Sequence, residues 1–504
     1  MTLTRATNAA TAPHDLTSGL GARWSALRCG ALLALGVALV AAFVWFRPVA
    51  QSGAGSPQFG WALTTLTALY VAACALILRS QPADGVWRWV ELGVIALIGL
   101  ALRAVVFGAP PALSPDAYRY AWDPYVLAHG FSPYTHTPKS PELLGLRESA
   151  IFPNLRFRNA PTIYPPAAQA MFLLAYAVAP LNIFGVKAVI EICDALASLL
   201  TLALLRRRGL DLRRVMFYWW APLPVIEFAF SGHVDAEAIL WTLAALLVNE
   251  QRWRGSRVAT GALLGLATLT KLYPLLFVIA LVRRRDYGLL AGLLGMIALG
   301  YAPFVWLGLG SGGFLGQYLS QRWVDQGLLV SWLDSALAGL TTAPTALVIA
   351  DFVALALLSG LIALYRWRLG LDSVACVLAL SVAWILLSPH IFPWYLAALL
   401  PLIALSRGQG AAWGERLLTP TAWACWTFTL LVPYTYILFL PDGASGLFPW
   451  MFALAAAVGL APLLDTRTRA SALLALRRLF AAPTLAECAQ LWRSQPSPEG
   501  GDHR

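Results

Sequence analysis

Charge is what this chain has least of. Asp, Glu, Lys and Arg make up 12% of its 504 residues, against about 25% in globular domains. With 59% hydrophobic residues and a mean hydropathy of +0.67, a soluble fold is excluded and a polytopic membrane protein expected. Lysine is nearly absent: Lys139, Lys187 and Lys271 are the only ones, which singles out Lys271 inside an apolar stretch. The six cysteines, Cys29, Cys74, Cys193, Cys376, Cys425 and Cys488, are scattered without a CxxC pair or metal-ligand spacing, so they read as small buried apolar residues. No fixed-period repeat is present, and no soluble domain beyond the two tails. A net charge of +11 would point to nucleic acid in a soluble chain. Here the arginines stand in short clusters between apolar runs, where they set topology. No basic stripe with interleaved aromatics exists, so no nucleic-acid partner is expected.

What is there is a series of apolar runs. A spanning helix needs about 20 apolar residues, and candidates lie near 30–46, 60–78, 89–108, 184–205, 215–231, 236–249, 287–307, 346–366, 373–388, 392–405, 417–440 and 448–464. The first 29 residues carry Arg5, Arg23 and Arg28, and the following run lacks a clear cleavage site, so an uncleaved first span with a cytoplasmic N-terminus is expected. Further basic clusters are Arg206–Arg208 with Arg213 and Arg214, then Arg252, Arg254 and Arg257, then Arg283–Arg285, then Arg366 and Arg368, and in the tail Arg467, Arg469, Arg477 and Arg478. All can be cytoplasmic together under two conditions. The apolar segment 164–180 must not cross but lie along the outer interface. The segment 258–282, with arginines at both ends, must form a hairpin of two short helices with Lys271, Tyr273 and Pro274 near its tip. The long polar segment 109–163 then faces outside, as do 231–235, 311–327, 389–393 and 441–449.

The outer segments hold the residues that could carry chemistry. In SPDAYRYAWDPYVLAHGFSPY, Ser114 fits an N-cap, Pro115 the first helical position, and Asp116 the first turn, where the helix dipole favours an ionised carboxylate. Pro124 is expected to interrupt the helix, making Asp123 a hinge or the cap of a second short helix, and Gly130 offers a stop. The two acids are either caps on a surface loop or, held at the lipid boundary, a base for a sugar hydroxyl. Arg119 either binds phosphate or pairs with Asp116 or Asp123. Lys271 either snorkels and pairs with an acid or acts as a cation for a ligand. His233 and Asp235, in SGHVD, could bind phosphate, position an acceptor or hydrogen-bond a loop; His390, in SPHIFPWY, has the same alternatives beside Trp394 and Tyr395, which suit an interfacial anchor. Tyr164, Pro165 and Pro166 start a helix whose free N–H groups could face a phosphate. Lys187, Glu191 and Asp194 share one helical face and read as an internal ion pair; Glu227, a lone intramembrane acid, reads as structurally paired.

The order of these motifs resembles polyprenyl-phosphate-sugar-dependent glycosyltransferases of the GT-C superfamily, the bacterial mannosyltransferase-like branch including glycosyltransferase family 87. Their pattern (S/D)xDxYRYxWDGxxxxxGxNPY followed by YPPxxQ is matched by Asp116, Tyr118, Arg119, Tyr120, Trp122, Asp123, Gly130, Pro133 and Tyr134, then Tyr164, Pro165, Pro166 and Gln169. The chain departs from it at Pro124 and Ser132, where Gly and Asn are usual. The likeness spans roughly 90–405, through SGHVDAEA, LLGLATLTKLYPLLF and SPHIFPWY, and leaves the first two spans as an addition.

The resemblance implies an all-α integral-membrane GT-C-like bundle with interfacial helices outside, and the length rule gives it about 12–14 spans. It divides the chain into a cytoplasmic tail 1–29, two added spans in 30–88, a catalytic core 89–405 with an external loop 109–183, further spans in 406–465 and a cytoplasmic tail 466–504. It implies an inverting transfer of a hexose, mannose in that branch, from polyprenyl monophosphate to a lipid-linked or envelope glycan at the outer face of the bacterial plasma membrane. Asp116 is then the base, with Asp123 the other candidate. Arg119, Tyr120, Tyr164, Gln169, His233, Asp235, Lys271 and His390 are the expected substrate-binding residues. No cofactor is required; a divalent metal is compatible with the chemistry, but the sequence does not indicate one. A multi-span transporter or lipid flippase would also use broken helices and intramembrane charge. That alternative leaves the polar loop with paired acids unexplained, and the chain shows no related halves.

Overall fold

The computed structural model describes residues 14–83, 85–310, 313, 328–340, 343–388, 390–407, 418–438 and 447–461. The expected tail 466–504 and most of the loops 311–327 and 441–449 lie outside them. Helices are the regular structure of the described residues, with no strand among them.

Among the described residues, six helices are long and apolar enough to cross a membrane. They include α1 (His14–Ser52), α2 (Pro57–Leu78) and α3 (Gly85–Phe107). After α4 (Asp116–Ala128) and α5 (Pro166–Val178) comes a fourth, α6 (Ile183–Arg207). Tyr287–Trp306 and Thr345–Leu369 complete the set. Among the described residues, other apolar segments of the roughly 12–14 expected spans appear as shorter helices, such as Ser373–Leu386 and Trp450–Leu460. Helix α1 starts at His14, well inside the expected tail 1–29.

The expected span 215–231 is not one helix. It is a succession of Met216–Trp219, Pro222–Pro224 and a π-helical turn Val225–Phe230. Pro222 and Pro224 each remove an N–H donor, and two prolines within three residues disfavour one continuous helix here. Every residue from 213 to 240 is buried, and broken backbone is tolerated at membrane depth when protein surrounds it. Partners from other elements meet its polar groups: Tyr70 donates to Phe217 O (2.7 Å) and Trp220 Nε1 donates to Ile95 O (2.8 Å). The two N-terminal spans are thus built into the core, with Phe46 edge-on to Phe230 at 5.8 Å.

The segment 258–282 does turn back on itself. Helix Ser256–Thr270 is about 22 Å long at 1.5 Å per residue, too short for a hydrocarbon core of about 30 Å. It stops at Lys271, which is extended (φ −141°, ψ 145°), and a 3-10 turn Tyr273–Phe277 and a short helix Val278–Leu281 return. Arg257, at the start, donates to Leu281 O (2.8 Å) and pairs with Asp286, so both ends of the segment meet. The outgoing arm lies hard against Tyr287–Trp306. A Cβ at Gly261 would come 2.0 Å from Leu289 O, and one at Gly292 2.0 Å from Val258 O, so only glycine permits this approach.

The basic clusters among the described residues gather at one end of the bundle. Arg208 pairs with Glu250 (2.7 Å) and Asp372 (3.3 Å), Arg283 donates to Asn249 O (2.8 Å), and Arg366 donates to Val282 O (3.0 Å). Arg213 joins Glu91 (3.5 Å), which also holds Arg28. The segment 109–183 starts and finishes at the opposite end, because Lys187 Nζ, one turn into α6, donates to Phe107 O and Ala109 O (both 2.6 Å). This corrects the expected ion pair on α6. Lys187 satisfies carbonyls at the end of α3, and Asp194 pairs instead with Arg103 of α3 (2.6 Å).

Candidate active site

At that opposite end lies a cavity of about 490 Å³, lined by Asp116 and Arg119 of α4, by the loop 156–164, by Lys271 and by the 392–395 segment. Such a volume falls in the usual range for small-molecule sites.

Helix α4 begins at Asp116, with Ser114 Oγ accepting from the Asp116 N–H (3.4 Å), so the cap sits one residue away from the sequence expectation. Pro124 does not interrupt α4, which runs to Ala128. Tertiary packing overrides the local break, with Tyr120 stacked on Phe172 of α5 at 4.4 Å and Trp122 against Phe152 at 5.5 Å. Gly130, at φ 84°, ends the helix as expected.

Asp116 is half-buried on the cavity wall, and Tyr164 Oη donates to its Oδ2 at 3.5 Å. Burial raises the proton affinity of Asp116, and the charges of Lys271 and Arg156 offset part of the rise; the net direction is upward. Burial likewise raises the Tyr164 phenol, which therefore stays protonated and donates. Lys271, where helix Ser256–Thr270 ends, reaches Asp235 Oδ2 at 3.3 Å and lies over the rings of Tyr164 (5.6 Å) and Tyr395 (5.4 Å).

The second carboxylate is placed differently. Asp123, fully buried, pairs with Arg119 Nε (2.6 Å) and accepts from Gln169 Nε2 (3.0 Å). It is not part of the cavity wall. Arg119 also donates to Ala160 O (3.1 Å), and its Nη2 has no hydrogen-bond partner among the described residues.

Of the residues singled out in the sequence, Asp116, Arg119, Tyr164 and Lys271 line the cavity. Tyr120, Asp123, Gln169, His233, Asp235 and His390 stand behind it. His233 is fully buried, with Nδ1 at 3.2 Å from Glu227 Oε2 and its ring 3.8 Å from that of Trp394, a cavity residue. Glu227 also accepts from Tyr436 Oη (3.0 Å), which agrees with its structural reading. The backbone N–H of His390 donates to Ser388 Oγ (3.4 Å), and its ring faces that of Phe392 at 6.2 Å. Sequence reasoning passed over Arg156 and Tyr436, both on the cavity wall. Arg156 was findable as a cation of the external loop beside Phe157; Tyr436 carried no signal, because only the fold brings residues 418–438 to this site. Among the described residues, no three His, Cys, Asp or Glu side chains gather as metal ligands.

Neither curated proteins nor solved structures give a match to the chain. A family model does, over a segment that contains Tyr164, Gln169, His233, Asp235 and Lys271 and begins after Asp116 and Asp123. Residues 162–389 match the model of glycosyltransferase family 87, the family whose motifs the sequence resembles, and the match indicates a glycosyltransferase.

Proposed function

We propose that the cavity transfers a hexose, mannose by the resemblance, from a polyprenyl monophosphate to a hydroxyl of a lipid-linked or envelope glycan, with inversion. The observation that carries this reading is the meeting of Asp116, Tyr164 and Lys271, from three separated motifs, on one cavity wall. The Asp116 carboxylate takes the proton of the acceptor hydroxyl as its oxygen attacks the anomeric carbon. The bond from that carbon to the phosphate oxygen breaks, and its electron pair leaves with the phosphate. Cations facing the cavity oppose the charge that develops there. Asp123 positions Arg119 instead of taking a proton, and Gln169 holds Asp123. No cofactor takes part in this reading.

The gathering of the basic clusters at the other end supports a cavity on the outer face of the bacterial plasma membrane, with both termini cytoplasmic. The test is transfer of radiolabelled mannose from synthetic polyprenyl-phosphate-mannose to membrane acceptors. Wild type is expected to transfer, and Asp116→Asn to fail at equal expression. Loss confined to Asp123→Asn would move the base to that residue. Flux of lipid or sugar across the membrane without transfer would replace the enzyme with a transporter.

A further inference from the structure

Around the cavity, two ion pairs form, and Asp116 and Arg156 are left without one within 4 Å among the described residues. Arg119 is taken by Asp123 at 2.6 Å and Lys271 by Asp235 at 3.3 Å. Asp116 accepts from the neutral Tyr164 hydroxyl. Arg156 lines the same cavity and makes no ion pair within 4 Å among the described residues; its guanidinium lies 5.1 Å from the Phe157 ring. Resting on the transfer reading above, we propose that Arg156 binds the donor phosphate and takes up the charge of the leaving group.

The chemistry calls for such a group. A lipid phosphosugar is a phosphodiester with one negative charge. When the bond to the anomeric carbon breaks, its electron pair stays on the phosphate, which becomes a monoester with a second charge, while the proton of the acceptor goes to Asp116. A cation already neutralised by a buried carboxylate opposes that new charge less than a free one, and a guanidinium can hold two phosphate oxygens at once. The loop is built to present it. Phe157 adopts the left-handed conformation (φ 52°), which is unfavourable for a residue with a Cβ. Both flanks are tied down: Arg158 Nε donates to Leu155 O (3.0 Å), Lys139 N to Arg158 O (3.0 Å) and Ala160 N to Phe157 O (3.0 Å). Arg156 is therefore an exposed side chain on a fixed turn.

The test uses the full chain in lipid nanodiscs, with polyprenyl-phosphate-mannose as donor and polyprenyl monophosphate as product inhibitor; inorganic phosphate and a nucleotide sugar serve as separate arms. Arg156→Ala is expected to lower kcat/KM for the donor about 10²–10³-fold, the size of effect seen when one donor to a developing anion is removed. Product inhibition should weaken about tenfold or more, and Arg156→Lys should recover part of both. Lys271→Met should leave product inhibition in place. Inhibition by the nucleotide sugar but not by the lipid monophosphate would place a different phosphate on Arg156 and overturn the proposal as stated, as would inhibition by inorganic phosphate alone. Unchanged kinetics in Arg156→Ala, with inhibition lost in Lys271→Met, would hand the phosphate to Lys271. If wild type transfers nothing from the lipid donor, the transfer reading itself fails and this inference falls with it; that result is seen without any variant.

Discussion

The two ends of the helical bundle treat charge in opposite ways. At the basic end, arginines are held by carboxylates and carbonyls from other segments: Arg208 by Glu250 and Asp372, Arg257 by Asp286, Arg213 by Asp211 and Glu91. At the cavity end, charges are fewer and their pairing is incomplete. Among the described residues, the Asp116 carboxylate has a long hydrogen bond from Tyr164 and no ion pair within 4 Å, and Arg156 faces the cavity without one either. Charge that is paired across segments stitches them together and fixes which side they face. Incompletely partnered charge beside a cavity has capacity left for a ligand. The same contrast recurs within α4, where Asp116 faces the cavity and Asp123, two turns on, is locked between Arg119 and Gln169.

Substitutions at both kinds of position sharpen this contrast. Asp116→Asn should cut transfer about 10²–10⁴-fold, the usual contribution of a general base, without lowering the unfolding temperature of the purified protein. Comparable transfer in the variant would remove Asp116 from the chemistry. Asp123→Asn should do the reverse in kind, because removing one partner of a buried ion pair costs about 3–5 kcal/mol. Thermal unfolding in detergent reads that loss, and a variant as stable as wild type would mean that Asp123 is not a structural partner.

Smaller effects are expected from charges that act at a distance or in water. Burial raises the Asp116 proton affinity and Lys271 lowers it. A base must be unprotonated, so the acid limb of the pH–rate profile should lie above the ordinary Asp value of about 3.9. Lys271→Met should move that limb further up in pH, with a smaller change on the plateau. A limb that stays put or moves down would show that Asp116 is not the group it reports. Smallest of all, Arg207→Ala removes a 3.2 Å pair with Glu250 from a side chain that is 41% exposed. Such pairs contribute about 0–1 kcal/mol, and an unfolding shift well beyond that would mean the basic end is more tightly coupled than its exposure implies.

The fold class was legible from composition and the spacing of apolar runs, because burying backbone in lipid leaves helices as the economical solution. The hairpin at 258–282 was legible too: arginines at both ends of 25 apolar residues forced a return, and Arg257 does meet Leu281 and Asp286. The span 215–231 was misread because hydropathy reports burial without saying whether lipid or protein surrounds the chain. Lys187 was misread for a related reason. Helical spacing puts it beside Glu191, but carbonyls left open at the end of α3 compete for it across the bundle.

By itself, then, the sequence determined that this is a helical membrane protein, which segments carry basic anchors, and that acids cluster just after a hydrophobic run. Those properties are local or additive, and composition and period suffice to read them. Only the tertiary structure decided that Asp116 lines a cavity while Asp123 lies behind it, that Lys271 belongs to Asp235, and that Arg156 and Tyr436 share the wall with Asp116. These residues lie up to hundreds of positions apart, and their roles follow from which partner each charge finds once water is excluded, a competition that no single segment contains.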